Sequence, residues 1–137
     1  CDRYCAVAVA RKGNIRSLGL DVEHIRDVER SLWRMVCTEW ELAQLDLLRP
    51  CDQLKYAALV FSAKECFYKC QFPVTRRWLD FDSLCIFLTD SPGVFLVRPV
   101  TNNALGKNVL IRGRYLLTED LVFTGIAMTY RDVIRGM

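Results

Sequence analysis

This sequence is poor in the usual makings of a metal cluster, a membrane span and a nucleic-acid surface. It has one histidine, His24, and no two of its seven cysteines are spaced C-x-x-C. A structural zinc site wants four clustered ligands, so none is expected. The longest apolar runs, Tyr4 to Ala10 and Tyr56 to Phe61, reach only seven and six residues, against the roughly 18 or more of a spanning helix. No transmembrane segment is expected, and no secretory signal pattern is legible at the start. The net charge is +3, from 19 basic and 16 acidic side chains. That is too small for a nucleic-acid partner, which leaves a basic stripe or cluster.

What is there suits one globular domain. The 137 residues are 52% hydrophobic and 26% charged, enough to bury a core and too balanced for a disordered tail. Most cysteines flank Val, Ala, Ile, Phe or Tyr, where a thiol packs as a small hydrophobe. They read as reduced thiols of a cytoplasmic protein.

Along the chain, Tyr4 to Ala10 reads as a buried strand, Lys12-Gly13-Asn14 as a turn, and Ile15 to Glu23 as a second strand of the same hairpin. A strand so close to a first residue that is Cys1 rather than Met suggests a fragment or a processed piece. Val28, Leu32, Met35 and Val36 make a helical stripe within Asp27 to Cys37. Thr38-Glu39-Trp40-Glu41 is a capping box that opens a helix at Glu39, carried to about Leu48. Pro50 reads as a breaker, and Asp52 as the cap of a longer helix ending near Gln71, before Pro73. Leu84 to Leu88 and Val94 to Val97 form a hairpin, and so do Tyr115 to Leu117 and Leu121 to Met128, with a polar loop at Asn102 to Lys107 between the pairs. The expected fold class is α+β, an antiparallel sheet packed against helices.

The strand from Ile15 to Glu23 carries the chemistry. Period-two alternation puts Leu18, Leu20 and Val22 on one face, expected to be the core face, and Gly19, Asp21 and Glu23 on the other. The two carboxylates are then about 7 Å apart along the strand. Phe61, Glu65 and Lys69 share a helix face at i, i+4, i+8, so Glu65 is the candidate for a third carboxylate. Three convergent carboxylates need a cation. Hard oxygen donors suit Mg²⁺, and Lys64 and Lys69 would meet substrate phosphates. A solvated strand end and a solvated helix face have the same spacing, so periodicity permits the metal reading without demanding it.

Two motifs taken together carry a resemblance. Ser17-Leu18-Gly19-Leu20-Asp21-Val22-Glu23, followed some forty residues later by Phe61-Ser62-Ala63-Lys64-Glu65-Cys66-Phe67-Tyr68-Lys69, resembles the signatures of the 4′-phosphopantetheinyl transferases. The likeness is nearest the enterobactin-synthase and surfactin types, through Tyr4 to Ala10, Leu79-Asp80-Phe81-Asp82 and the closing Thr118 to Thr129 hairpin. It implies that residues 1–137 are a single lobe, the C-terminal one, of a pseudo-twofold fold whose N-terminal lobe is missing. It implies Asp21, Glu23 and Glu65 as Mg²⁺ ligands, Lys64 and Lys69 as contacts to coenzyme A phosphates, and Glu65 and Lys69 as the catalytic pair. The implied reaction moves 4′-phosphopantetheine from coenzyme A to a serine of an acyl, peptidyl or aryl carrier protein, in siderophore or other secondary-metabolite assembly. Glu65 or a metal-bound water would take the serine proton; the sequence does not choose.

Departures from the family pattern keep two other functions in view. The segment expected just before Cys1 is absent, and Cys66 replaces the usual Ser or Ala. Self-association, or pairing with the missing lobe, would complete a site. The alternatives are a holo-acyl-carrier-protein synthase of fatty-acid synthesis and a non-catalytic lobe that binds coenzyme A or docks a carrier.

Overall fold

In a computed structural model, which describes residues 3–100 and 109–132, the chain runs β1 (Ile15–His24), a 3₁₀ turn (Ile25–Asp27), α1 (Arg30–Val36), α2 (Glu39–Asp46) and α3 (Pro50–Thr75). A second 3₁₀ turn (Phe81–Ser83) leads into β2 (Leu84–Leu88), β3 (Val94–Pro99), β4 (Ile111–Leu117) and β5 (Leu121–Thr129). All five strands join one antiparallel sheet in the order β1-β5-β4-β3-β2. The fold is α+β, as expected. The last strand in sequence lies between β1 and β4, where it pairs Asp21 with Thr124 and Tyr115 with Thr124.

α3 is the spine. Pro50 begins this helix rather than breaking one, because proline at the first helical position gives up an N–H that has no partner there. Pro73 lies inside the last turn, where the lost hydrogen bond costs little continuity, and the helix runs on to Thr75. It ends at Arg76, whose left-handed φ of 57° turns the chain back while its N–H reaches the Phe72 carbonyl. Leu59, Ala63 and Phe67 of α3 pack into one core with Phe95, Ile126 and Met128 of the sheet. α1 is shorter than expected, and Met35 of its proposed apolar stripe is exposed. The capping box is present: Thr38 Oγ1 accepts from the Glu41 N–H at 3.3 Å, and Glu41 Oε2 accepts from the Thr38 N–H at 2.7 Å.

Two expectations are overturned. Residues 4–10 are an exposed segment, not a buried strand, and Val9 is 90% exposed. β1 takes its partner from β5 instead, so the proposed hairpin does not form. The faces of β1 are also reversed. Gly19 and Asp21 turn inward against α3, while Leu18, Leu20 and Val22 are only half-buried on the far side. The reason is close packing: a Cβ on Gly19 would run into the Cys66 carbonyl oxygen and lie 2.8 Å from Cys70 Cβ. Only the glycine-bearing face admits the helix. On the far face the cross-strand row Val22–Phe123–Leu116 is left with an apolar surface, Leu116 being 61% exposed. The expected polar loop at 102–107 lies outside the described residues.

Candidate active site

Gly19 lets α3 lie close enough to β1 for side chains of the two elements to meet. Asp21, 5% exposed, accepts from Ser62 Oγ on one carboxylate oxygen at 2.7 Å and from Lys69 Nζ on the other at 2.5 Å. Thr124 Oγ1 of β5 stands 2.8 Å from the same serine hydroxyl and donates to the Ser62 carbonyl at 3.0 Å. A buried carboxylate is costly unless hydrogen-bonded and paired, and this one is both. Ser62 and Lys69 are seven residues apart, two helical turns, so one helix face serves both oxygens.

Glu23 and Glu65 stand half-buried beside this pair. Burial pushes the Glu65 carboxyl above its ordinary range, and the Asp21 charge pushes it further; Lys69 opposes both. Glu23 is raised by burial first, then by Asp21, with a smaller push from Glu65. Lys69 loses solvation, which favours its neutral form. Its hydrogen bond to Asp21 and the charges of Asp21, Glu65 and Glu23 outweigh that loss and raise its pKa. Each of the three carboxylates thus feels the same small region of field. They are neighbours without being a finished coordination sphere: among the described residues no three His, Cys, Asp or Glu side chains are gathered closely enough to hold a metal ion. The donor chemistry still fits a hard divalent cation. Burial, then repulsion from Asp21, holds two carboxyls up, a penalty that a cation would relieve, and the Lys69 ammonium pairs directly with the third.

Lys64, expected to meet phosphates, lies inside the core. It is 1% exposed, and its ammonium donates to Glu41 Oε2 at 2.7 Å, the Val36 carbonyl at 2.8 Å and the Phe81 carbonyl at 2.8 Å. An ammonium has three protons, and all three are engaged. Glu41, itself fully buried, also accepts from the outward N–H of Ile86 on edge strand β2 at 2.7 Å. The capping box was the only sequence sign of Glu41; nothing in the spacing tied it to Lys64.

Beside Glu65 opens a cleft of about 210 Å³, walled by Tyr68 of α3 and by Trp78, Leu79 and Phe81 of the returning segment. Trp78 meets the Tyr68 ring edge-on with centroids 5.2 Å apart, and its indole N–H donates to Asp80 at 2.8 Å. The αL turn at Arg76 brings Trp78 back over α3, a placement that no spacing in the sequence signals. The six described cysteines are free thiols, and burial pushes Cys66 up to about 12 and Cys70 to about 11.

Comparison with known proteins bears on the same stretch. The family model for the 4′-phosphopantetheinyl transferase superfamily matches residues 17–119, which include Asp21, Glu23, Glu65 and Lys69. Over 136 residues the chain is 31% identical to the 4′-phosphopantetheinyl transferase PptT of Mycobacterium tuberculosis, covering 93% of this chain and 59% of that protein. It is 34% identical to Svp of Streptomyces mobaraensis, covering 93% and 54%. The chain therefore spans little more than half the length of these relatives. A holo-(acyl-carrier-protein) synthase of Bacillus anthracis, solved with CoA (3′,5′-ADP), shares the fold at a TM-score of 0.68 and 15% identity, covering 85% of this chain and 98% of that one. The charged junction of β1 and α3 lies inside the matched stretch, and on that agreement the chain belongs to the 4′-phosphopantetheinyl transferase superfamily.

Proposed function

We infer that this lobe carries the reacting groups of a Mg²⁺-dependent 4′-phosphopantetheinyl transferase of the two-lobed, enterobactin-synthase and surfactin type. The observation that supports it most is the Asp21–Lys69 pair with Glu23 and Glu65 beside it, at the one place where β1 and α3 touch through Gly19. Asp21, Glu23 and Glu65 would hold the cation, which when bound neutralises the pyrophosphate of coenzyme A. The carrier serine oxygen attacks the phosphorus of the phosphopantetheine group and forms a new P–O bond. The P–O bond to 3′,5′-ADP breaks, and the nucleotide leaves with that electron pair. Glu65, with its raised pKa, takes the serine proton. Lys69, half-exposed, faces the charge growing on the leaving group. The narrow aromatic cleft next to Glu65 suits the pantetheine arm, whose methyl and methylene groups pack on apolar walls.

The remaining length of the relatives supports a second lobe in the whole protein, and the apolar far face of the sheet gives it somewhere to pack. A cytoplasmic setting accords with the free thiols. One observation favours the single-lobed alternative, a holo-acyl-carrier-protein synthase: the chain covers 98% of the Bacillus anthracis fold. Transfer of labelled phosphopantetheine to a panel of acyl, peptidyl and aryl carrier proteins separates the two. In the same assay Asp21→Asn and Lys69→Ala should each lower kcat by about 10²–10³-fold. Parental rates in both variants would overturn the catalytic assignment and leave a docking lobe.

A further inference from the structure

We propose that Lys64 is a positioning residue: from within the core it sets the wall of the aromatic cleft, and it does not bind phosphate. The inference rests on the transferase reading above. Lys64 adjoins Glu65 in sequence, and a lysine beside a catalytic carboxylate invites a role at the phosphates. Its surroundings forbid that. All three ammonium protons are used inside the protein, on Glu41, the Val36 carbonyl and the Phe81 carbonyl. To reach a phosphate it would have to abandon a fully buried glutamate, and an uncompensated buried charge is among the costliest defects in a core.

What the three bonds connect is informative. Phe81 is a wall of the cleft, and the Lys64 bond to its carbonyl fixes that wall against α3 one residue from Glu65. Gln71 Nε2 holds the other end of the same segment through the Arg77 carbonyl at 3.0 Å. The stretch carrying Trp78 and Leu79 is therefore strung between two side chains of one helix. Through Glu41 the same ammonium is coupled to the start of α2 and to the Ile86 N–H of β2. Removing it should shift Phe81 relative to Glu65, and so misplace a ligand's arm without touching its phosphates.

The test compares two ligands that share a nucleotide and differ in the arm. Lys64→Met alone strands the Glu41 charge and is expected to unfold at much lower temperature. The double variant Lys64→Met/Glu41→Gln removes both charges and should recover most of that loss. In the double variant of the full protein, 3′,5′-ADP should bind within twofold of the parent by calorimetry, whereas the Kd for coenzyme A in the same measurement should rise about tenfold. An equal loss for both ligands would make Lys64 a phosphate contact and overturn the proposal. Unchanged constants for both would make it a packing residue only, and would overturn it as well. If the parent binds 3′,5′-ADP and coenzyme A but transfers nothing, the transferase reading has failed; the contrast between the two ligands still decides the role of Lys64.

Discussion

Four charged side chains share the β1–α3 junction, and they do not share their charge equally. Asp21 owns the lysine, whereas Glu23 and Glu65 are left with raised pKa values by burial and by Asp21. A raised carboxyl pKa means the folded protein binds that proton more tightly than the unfolded chain. The associated stability is full below the ordinary carboxylate range and is lost as pH rises through the folded value. Glu65→Gln removes the charge and the loss with it. In metal-free protein the variant should melt a few degrees above the parent near pH 7, with the gap closing toward about pH 4. Adding Mg²⁺ should raise the parental melting temperature and abolish the difference. Calorimetric scans across that range, with and without Mg²⁺, check both, and a variant that melts below the parent in metal-free buffer at pH 7 would contradict the electrostatic account. On the proposed reading, the site keeps a glutamate where stability alone would prefer an amide.

At the scale of elements, the contact between β1 and α3 depends on a missing side chain. Gly19→Ala places a methyl against the Cys66 backbone, which has no free rotamer to yield. It should cost about 3 kcal/mol by denaturant unfolding, through overpacking. Because the helix must move off the strand, transfer activity should also fall in variant protein that remains folded. The alternation of β1 was legible in the sequence, and it correctly separated Gly19, Asp21 and Glu23 from Leu18, Leu20 and Val22. Which set faces inward is not legible, because apolar residues line both faces of the folded sheet and only the missing Cβ reveals where a helix can approach. β2 was read to the residue, and the β4–β5 turn likewise, since Thr118-Glu119-Asp120 interrupts two apolar runs. The Tyr4 to Ala10 reading failed for a different reason: an apolar run does not say whether a partner strand exists for it. The bond from Lys64 to Glu41 is not legible either, because the partners are 23 positions apart on two different helices.

Among the described residues, a helix covers one face of the sheet and no helix covers the other. α3 covers the face with Asp21 and Thr124, while Val22, Phe123 and Leu116 lie in a row on the other. Leu116 is exposed and the other two are half-buried, so the row offers an apolar strip to a second surface. The chain on its own should therefore bind a hydrophobic dye and associate at tens of micromolar in sedimentation. Leu116→Lys with Phe123→Lys should suppress both while leaving the circular dichroism unchanged, and a dye-free monomeric parent would show the row to be inert. The order of strands has one more outcome, in the time of synthesis. Of the described strands β5 is made last and yet lies inside the sheet, so β1 waits for its partner until roughly a hundred further residues have left the ribosome. A chain stopped before Leu121 already holds Asp21, Glu23, Glu65 and Lys69, but nothing joins β1 to β4. Premature termination there yields every residue of the motif and no site.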